Sequence, residues 1–173
     1  MTTSAFPTNA TPAELLYPDM AQELAATRKM IALVPDGDGE FKPHEKSMSL
    51  GALATHLAEL PSFGTLLLTT TELDFATAGW PSKKFTANAE RLAEFDKNAA
   101  AMTSAVESAG WEQLDERWVM RAGDVVYVDE KKGKLVRSFA LSHMAHHRAQ
   151  LGVYLRMTGV AIPGTYGPSA DEM

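Results

Sequence analysis

Five histidines occur in the chain: His44, His56, His143, His146 and His147. His143 and His147 are four positions apart, a spacing that on a helix sets two side chains roughly 40° apart around the axis and one turn apart along it. Two imidazoles so placed can converge on one ion. A single His-x-x-x-His match is common by chance, so its place on the helix decides its weight. Val136, Phe139, Ala140, Met144, Leu151, Tyr154 and Leu155 define an apolar face, and at about 100° per residue His143 and His147 fall near its middle, with His146 at its edge. The same projection puts His56 inside the stripe Leu53, Leu57, Leu60, Phe63 and Leu67. Burying three imidazoles together disfavours their protonation. Neutral imidazoles converging in a dry pocket are what a divalent transition metal requires. The competing reading is three core histidines, each bonded to a carbonyl or carboxylate.

The surroundings narrow the chemistry. A zincin protease carries glutamate after the first histidine of the helical pair; here that residue is Met144. No phosphate-cradling G-x-x-x-x-G-K or G-x-G-x-x-G and no G-x-S-x-G elbow is present. Three histidines without a fourth evident ligand suit an open catalytic site better than a closed structural one. Gln150 and Tyr154 continue the His143/His147 face, and helix packing or hydrogen bonding to the ligands is the expected role of each. Glu59, one turn after His56, is a further candidate to orient a ligand. No acid–base residue announces itself, and His44, in a polar loop, is expected to be solvent-exposed.

Four helical segments are expected to hold these residues. Thr11-Pro12-Ala13-Glu14 reads as a capping box before a short turn. A first long helix runs from about Pro18 to Val34, ended by Pro35-Asp36-Gly37-Asp38-Gly39. Ser47 or Ser49 caps the second, whose stripe extends to Leu67 and which Pro61 could kink or split. Asp74 to Lys84, with Gly79 and Pro81, is a connection. The third helix spans about Thr86 to Ala109, and the fourth about Lys134 to Thr158, before Gly159. Between them, Trp118 to Asp129 predicts a small hairpin or an extended crossover. The tail from Val160 to Met173 is expected to be irregular. Long helices with one apolar stripe must bury it against each other, so an all-α four-helix bundle follows, as a single domain over residues 1–173.

Composition agrees with a globular chain: 45% hydrophobic and 22% charged residues over 173 positions, with a formal net charge of −6. An acidic chain lacking a large basic patch is not expected to bind nucleic acid. The short clusters Lys83-Lys84 and Lys131-Lys132 with Lys134 read as solvated connections. With no cysteine, thiolate ligands and a protein-borne thiol nucleophile are excluded. The start, Met1 to Pro7, lacks the basic flank and apolar run of a secretory signal. No apolar stretch is long enough to span a bilayer, so a cytoplasmic location away from membranes is the expectation.

Several runs together resemble the DinB family, the DinB/YfiT-like metalloenzymes. They are Phe41-Lys42-Pro43-His44-Glu45-Lys46-Ser47, Leu53-Ala54-Thr55-His56-Leu57, His143-Met144-Ala145-His146-His147-Arg148-Ala149-Gln150-Leu151, and Ile162-Pro163-Gly164-Thr165-Tyr166-Gly167-Pro168-Ser169. The His-Arg-x-Gln segment is the more specific of these, and Ala149 stands where the family often has glycine. The resemblance implies an up-down-down-up bundle, often a homodimer. It implies zinc or nickel held by one histidine of the second helix and two of the last, matching His56, His143 and His147. Better understood relatives use low-molecular-weight thiols such as bacillithiol or mycothiol, as transferases or isomerases. A small-molecule substrate, with a thiol as the activated partner, is therefore the leading expectation. A metal-dependent hydrolase and a non-catalytic metal-binding stress protein are the alternatives.

Overall fold

Thr11 starts the first helix as the sequence expects: its hydroxyl accepts from the Glu14 backbone while the Glu14 carboxylate accepts from Thr11 N at 2.8 Å, closing a capping box. The structure, a computed structural model, describes residues 10–36, 39–78 and 83–173. The expectations for the Met1–Pro7 start, for Gly37 and Asp38, and for Gly79 and Pro81 lie outside the described residues.

After the short α1 (Pro12–Leu16) come the long helices α2 (Met20–Ala32), α3 (Leu50–Thr69) and α4 (Asn88–Ser108), then the short α5 (Trp111–Asp115). The last long helix is continuous but not uniform. It begins as α6 (Lys132–Leu135), widens into a π-helical stretch (Val136–Ser142) and closes as α7 (His143–Met157). Ser49, not Ser47, caps α3, accepting from Ala52 N at 3.3 Å. Pro61 neither splits nor ends α3, which runs unbroken through it. The tail is irregular after Met157, as expected.

Packing order is not sequence order. α3 lies chiefly against α4 and the last helix, and α2 packs on α4 and α7, so α2 and α3 face each other across the bundle. Leu53, Leu57, Leu67, Phe95, Met102, Leu141, Met144 and Leu151 fill the space between them, each nearly inaccessible. A buried charge contact joins α2 and α7: Arg148 Nη2 lies 2.7 Å from Glu23 Oε2, without hydrogen-bond alignment, while its N–H donates to Tyr166 Oη at 2.7 Å. Through Tyr166, which donates to Glu23 Oε1 at 2.8 Å, the tail is fastened onto α2 and α7.

A purely helical architecture does not hold. The expected hairpin is present as β2 (Arg117–Ala122) and β3 (Val125–Lys131), and a third strand, β1 (Glu72–Asp74), adds in parallel to β2. The protein is thus mostly helical with a small three-stranded sheet. Gly123 makes the two-residue turn at φ 57°, a conformation that costs other residues a Cβ clash. Asp74 locks the sheet. Its Oδ1 accepts from Gly123 N at 3.0 Å and Ala76 N at 2.9 Å, and its Oδ2 pairs with Arg121 at 2.6 Å. No helix among the described residues is long and apolar enough to cross a membrane.

Candidate metal centre

His56 enters from α3, and His143 and His147 come from the first two turns of α7. One ring nitrogen of each lies within 4.8 Å of the others. The ring centroids stand 5.3 Å apart for His56 and His143, and 4.6 Å apart for each of the other two pairs. All three side chains are half-buried rather than sealed in the core, so the site opens at one side.

Two neighbours fix which nitrogen faces inward. His147 Nδ1 is 2.7 Å from Gln150 Oε1. An amide oxygen only accepts, so in this amide orientation Nδ1 carries the proton and Nε2 keeps its lone pair. The Phe139 carbonyl, one turn earlier, likewise attracts the proton of the His143 ring. The π-helical stretch makes that carbonyl available, because the His143 backbone N–H reaches Ser138 and Ala140 instead. His143 Nε2 and His147 Nε2 then face each other at 2.8 Å. Two lone pairs at that distance repel unless a proton or a cation lies between them.

Electrostatics favour the cation. Burial pushes the His56 imidazole down to about 4, with the nearby His147 and His143 rings adding to the effect. Burial also lowers His143 and His147, opposed by the Phe139 carbonyl and by Gln150 respectively. Neutral rings are the metal-binding form. The donor set therefore fits a divalent transition metal, and with three nitrogens it leaves coordination positions open.

Beside the histidines is a cavity of about 390 Å³ whose wall includes His56, His143, Glu59, Leu60, Phe63, Leu73, Phe75, Met120 and Phe139. Three of these, Leu73, Phe75 and Met120, come from the sheet region rather than the bundle. Glu59 is 6% exposed, and its Oε1 accepts from Lys83 N at 2.7 Å. Glu59, which the sequence offered as a residue to orient a ligand, lines the cavity together with His56 and His143. The i, i+3 spacing from His56 was the available signal.

The remaining expected residues divide clearly. His146 is exposed with its ring 4.9 Å from that of His147, outside the three-nitrogen cluster. His44 is exposed in its loop, its Nδ1 accepting from Lys46 N at 3.2 Å. Tyr154 is buried and meets Phe41 edge-on at 6.1 Å, a packing role. Gln150 touches the site through His147 alone among these contacts.

A sequence model of the DinB family matches residues 1–173. Three solved structures share the fold. The DinB-like protein YjoA of Bacillus subtilis is 17% identical, with 87% of this chain and 97% of that one covered at a TM-score of 0.65. A DinB-like protein of Bacillus cereus is 22% identical, with 88% and 97% covered, also at 0.65. YfiT of Bacillus subtilis, described as a probable metal-dependent hydrolase with an unusual four-helix bundle topology, is 15% identical, with 91% and 95% covered at 0.62. Among curated proteins, YrdA of Bacillus subtilis is 44% identical over 34 residues. That match spans about a fifth of each chain's length.

Proposed function

The chain belongs to the DinB family, and on that premise we propose that it is a metal-dependent enzyme acting on a small molecule, with His56, His143 and His147 holding one divalent ion. One observation carries the reading: three imidazoles converge within 4.8 Å, two of them, His56 and His143, on the wall of a cavity large enough for a substrate. The description of YfiT as a probable metal-dependent hydrolase supports the same class for a chain of the same fold. Residues 1–173 act as one domain in this reading, and zinc or nickel is the expected metal.

When bound, the ion supplies Lewis acidity, which makes a water or thiol in its open position more acidic. The histidines act as ligands and not as acid–base groups, since their inward lone pairs are used. Gln150 holds the proton of His147 on Nδ1 and so keeps Nε2 directed inward. Glu59, on the same wall as His56 and His143, is placed to accept the proton of a nucleophile formed in the cavity. Leu60, Phe63, Leu73 and Phe139 exclude water and seat an apolar part of the substrate.

Glu59 favours water as the nucleophile and hence a hydrolase. Replacing Glu59 by Gln is expected to lower kcat for a model ester or amide by about 10²–10⁴-fold with metal content unchanged. An unaltered kcat discards the hydrolytic reading. The thiol-transferase reading rests on a different observation. This cysteine-free chain has an apolar cavity suited to a soft ligand, so a low-molecular-weight thiol would have to provide the nucleophile. In cobalt-loaded protein, bacillithiol or mycothiol would then give an intense near-ultraviolet charge-transfer band. Its absence with both removes that reading.

A further inference from the structure

A second cavity, of about 640 Å³, lies where the start of α3 meets the segment leading into α4, and it shares no lining residue with the histidine cavity. Arg91 of α4 forms part of its wall and is 4% exposed. Its Nε donates to Thr55 Oγ1 at 3.3 Å and its Nη2 to the Phe85 carbonyl at 2.9 Å. Both partners are neutral. Among the described residues Arg91 has no carboxylate partner and its Nη1 makes no hydrogen bond. A buried guanidinium without a counter-ion is unfavourable, because desolvation is not offset by an opposite charge.

Among the described residues, the nearby carboxylates are committed elsewhere or lie outside. Asp36 Oδ1 accepts from Asn88 N at 2.6 Å, and Glu40 is exposed. Lys83 is paired with Glu94 at 2.7 Å, whereas Lys84, also on the wall, has no ion pair among the described residues. The helix amides are already used: Leu50 N donates to Phe41 O, Gly51 N to Gly39 O, and Ala52 N to Ser49 Oγ. Recognition must therefore come from side chains. Gly51 leaves the guanidinium its room, since a Cβ there would stand 3.2 Å from Arg91 Nη2.

We propose that this cavity binds a small oxyanion, a carboxylate or phosphate group, across the Nη1/Nη2 edge of Arg91 with Lys84 as a second contact. A planar guanidinium with free donors on both terminal nitrogens matches two oxygens of one anion. Asp36 and Glu40 line the same cavity and repel an anion, so binding rests on Arg91 and Lys84.

The test is an amide-resolved NMR titration with inorganic phosphate and, separately, with acetate, at constant ionic strength. Saturable shifts at Gly51, Ala52 and Thr86 are expected with at least one of the two, and the tighter binder gives the ligand class. Lys84→Met, an exposed change, should weaken binding at least threefold, and Arg91→Met should abolish it. His147→Ala should leave it unchanged, which separates this cavity from the metal centre. Non-saturable shifts with both anions, or equal affinity in Lys84→Met and wild type, overturn the proposal even if Arg91→Met fails to fold.

Discussion

Three lone pairs turned toward a common point are only as useful as the groups that aim them. His56, His143 and His147 each supply one nitrogen within 4.8 Å of the others, whereas His146, its ring 4.9 Å from that of His147, is exposed and outside the cluster. Alanine at His56, His143 or His147 is accordingly expected to abolish stoichiometric metal, read by elemental analysis after dialysis, and alanine at His146 to leave it. Metal lost from the His146 variant but kept by the His143 variant would reverse the assignment. Gln150 presents a finer case. Its oxygen sets the His147 tautomer at 2.7 Å, so Gln150→Leu should weaken metal affinity by about 10–100-fold in a chelator competition, with the fold intact. Unchanged affinity would mean that Gln150 does not act through His147.

Among the elements, the π-helical stretch and the small sheet shape the site most. The wider turn from Val136 to Ser142 moves the His143 backbone donor off the Phe139 carbonyl, which then serves the His143 ring. The sheet supplies the far wall of the cavity, and Asp74 holds it in place. The backbone N–H groups of Gly123 and Ala76, with Arg121, keep the Asp74 carboxyl below its ordinary 3.8. A carboxyl whose folded pKa is depressed stabilises the fold above its unfolded value and loses that contribution as pH falls through the folded one. The Gly123 amide shift should therefore titrate with a midpoint below 3.8, and Asp74→Asn should remove the transition. A midpoint at or above the ordinary value contradicts this account of the sheet.

For the whole molecule, a homodimer is the expected assembly. β3 is an edge strand with Val125, Val126 and Tyr127 each more than half exposed, and α7 exposes Val153 and Met157. Apolar side chains beside an unpaired edge favour association. Light scattering that gives the monomer mass across micromolar concentrations counts against it. What the sequence determined by itself was local. The helix start at Thr11, the stripe of α3, and the pairing of His143 with His147 follow from spacing within one element, because each depends on residues a turn apart, whereas the choice of Ser49 over Ser47 as the cap of α3 did not. The match of His56 to the pair was legible because all three interrupt apolar faces that must meet. The tertiary structure decided the rest. β1 has three residues, too few for an alternation signal, and its partner strand begins 45 positions later at Arg117. The i→i+5 bonding that serves His143 leaves no mark in residue type. Spacing from His56 marked Glu59 only as a residue that could orient a ligand; its place on a cavity wall appears once strand residues Leu73 and Met120 complete that wall. Contacts between distant segments are set by which surfaces pack, and composition along the chain does not encode that choice position by position.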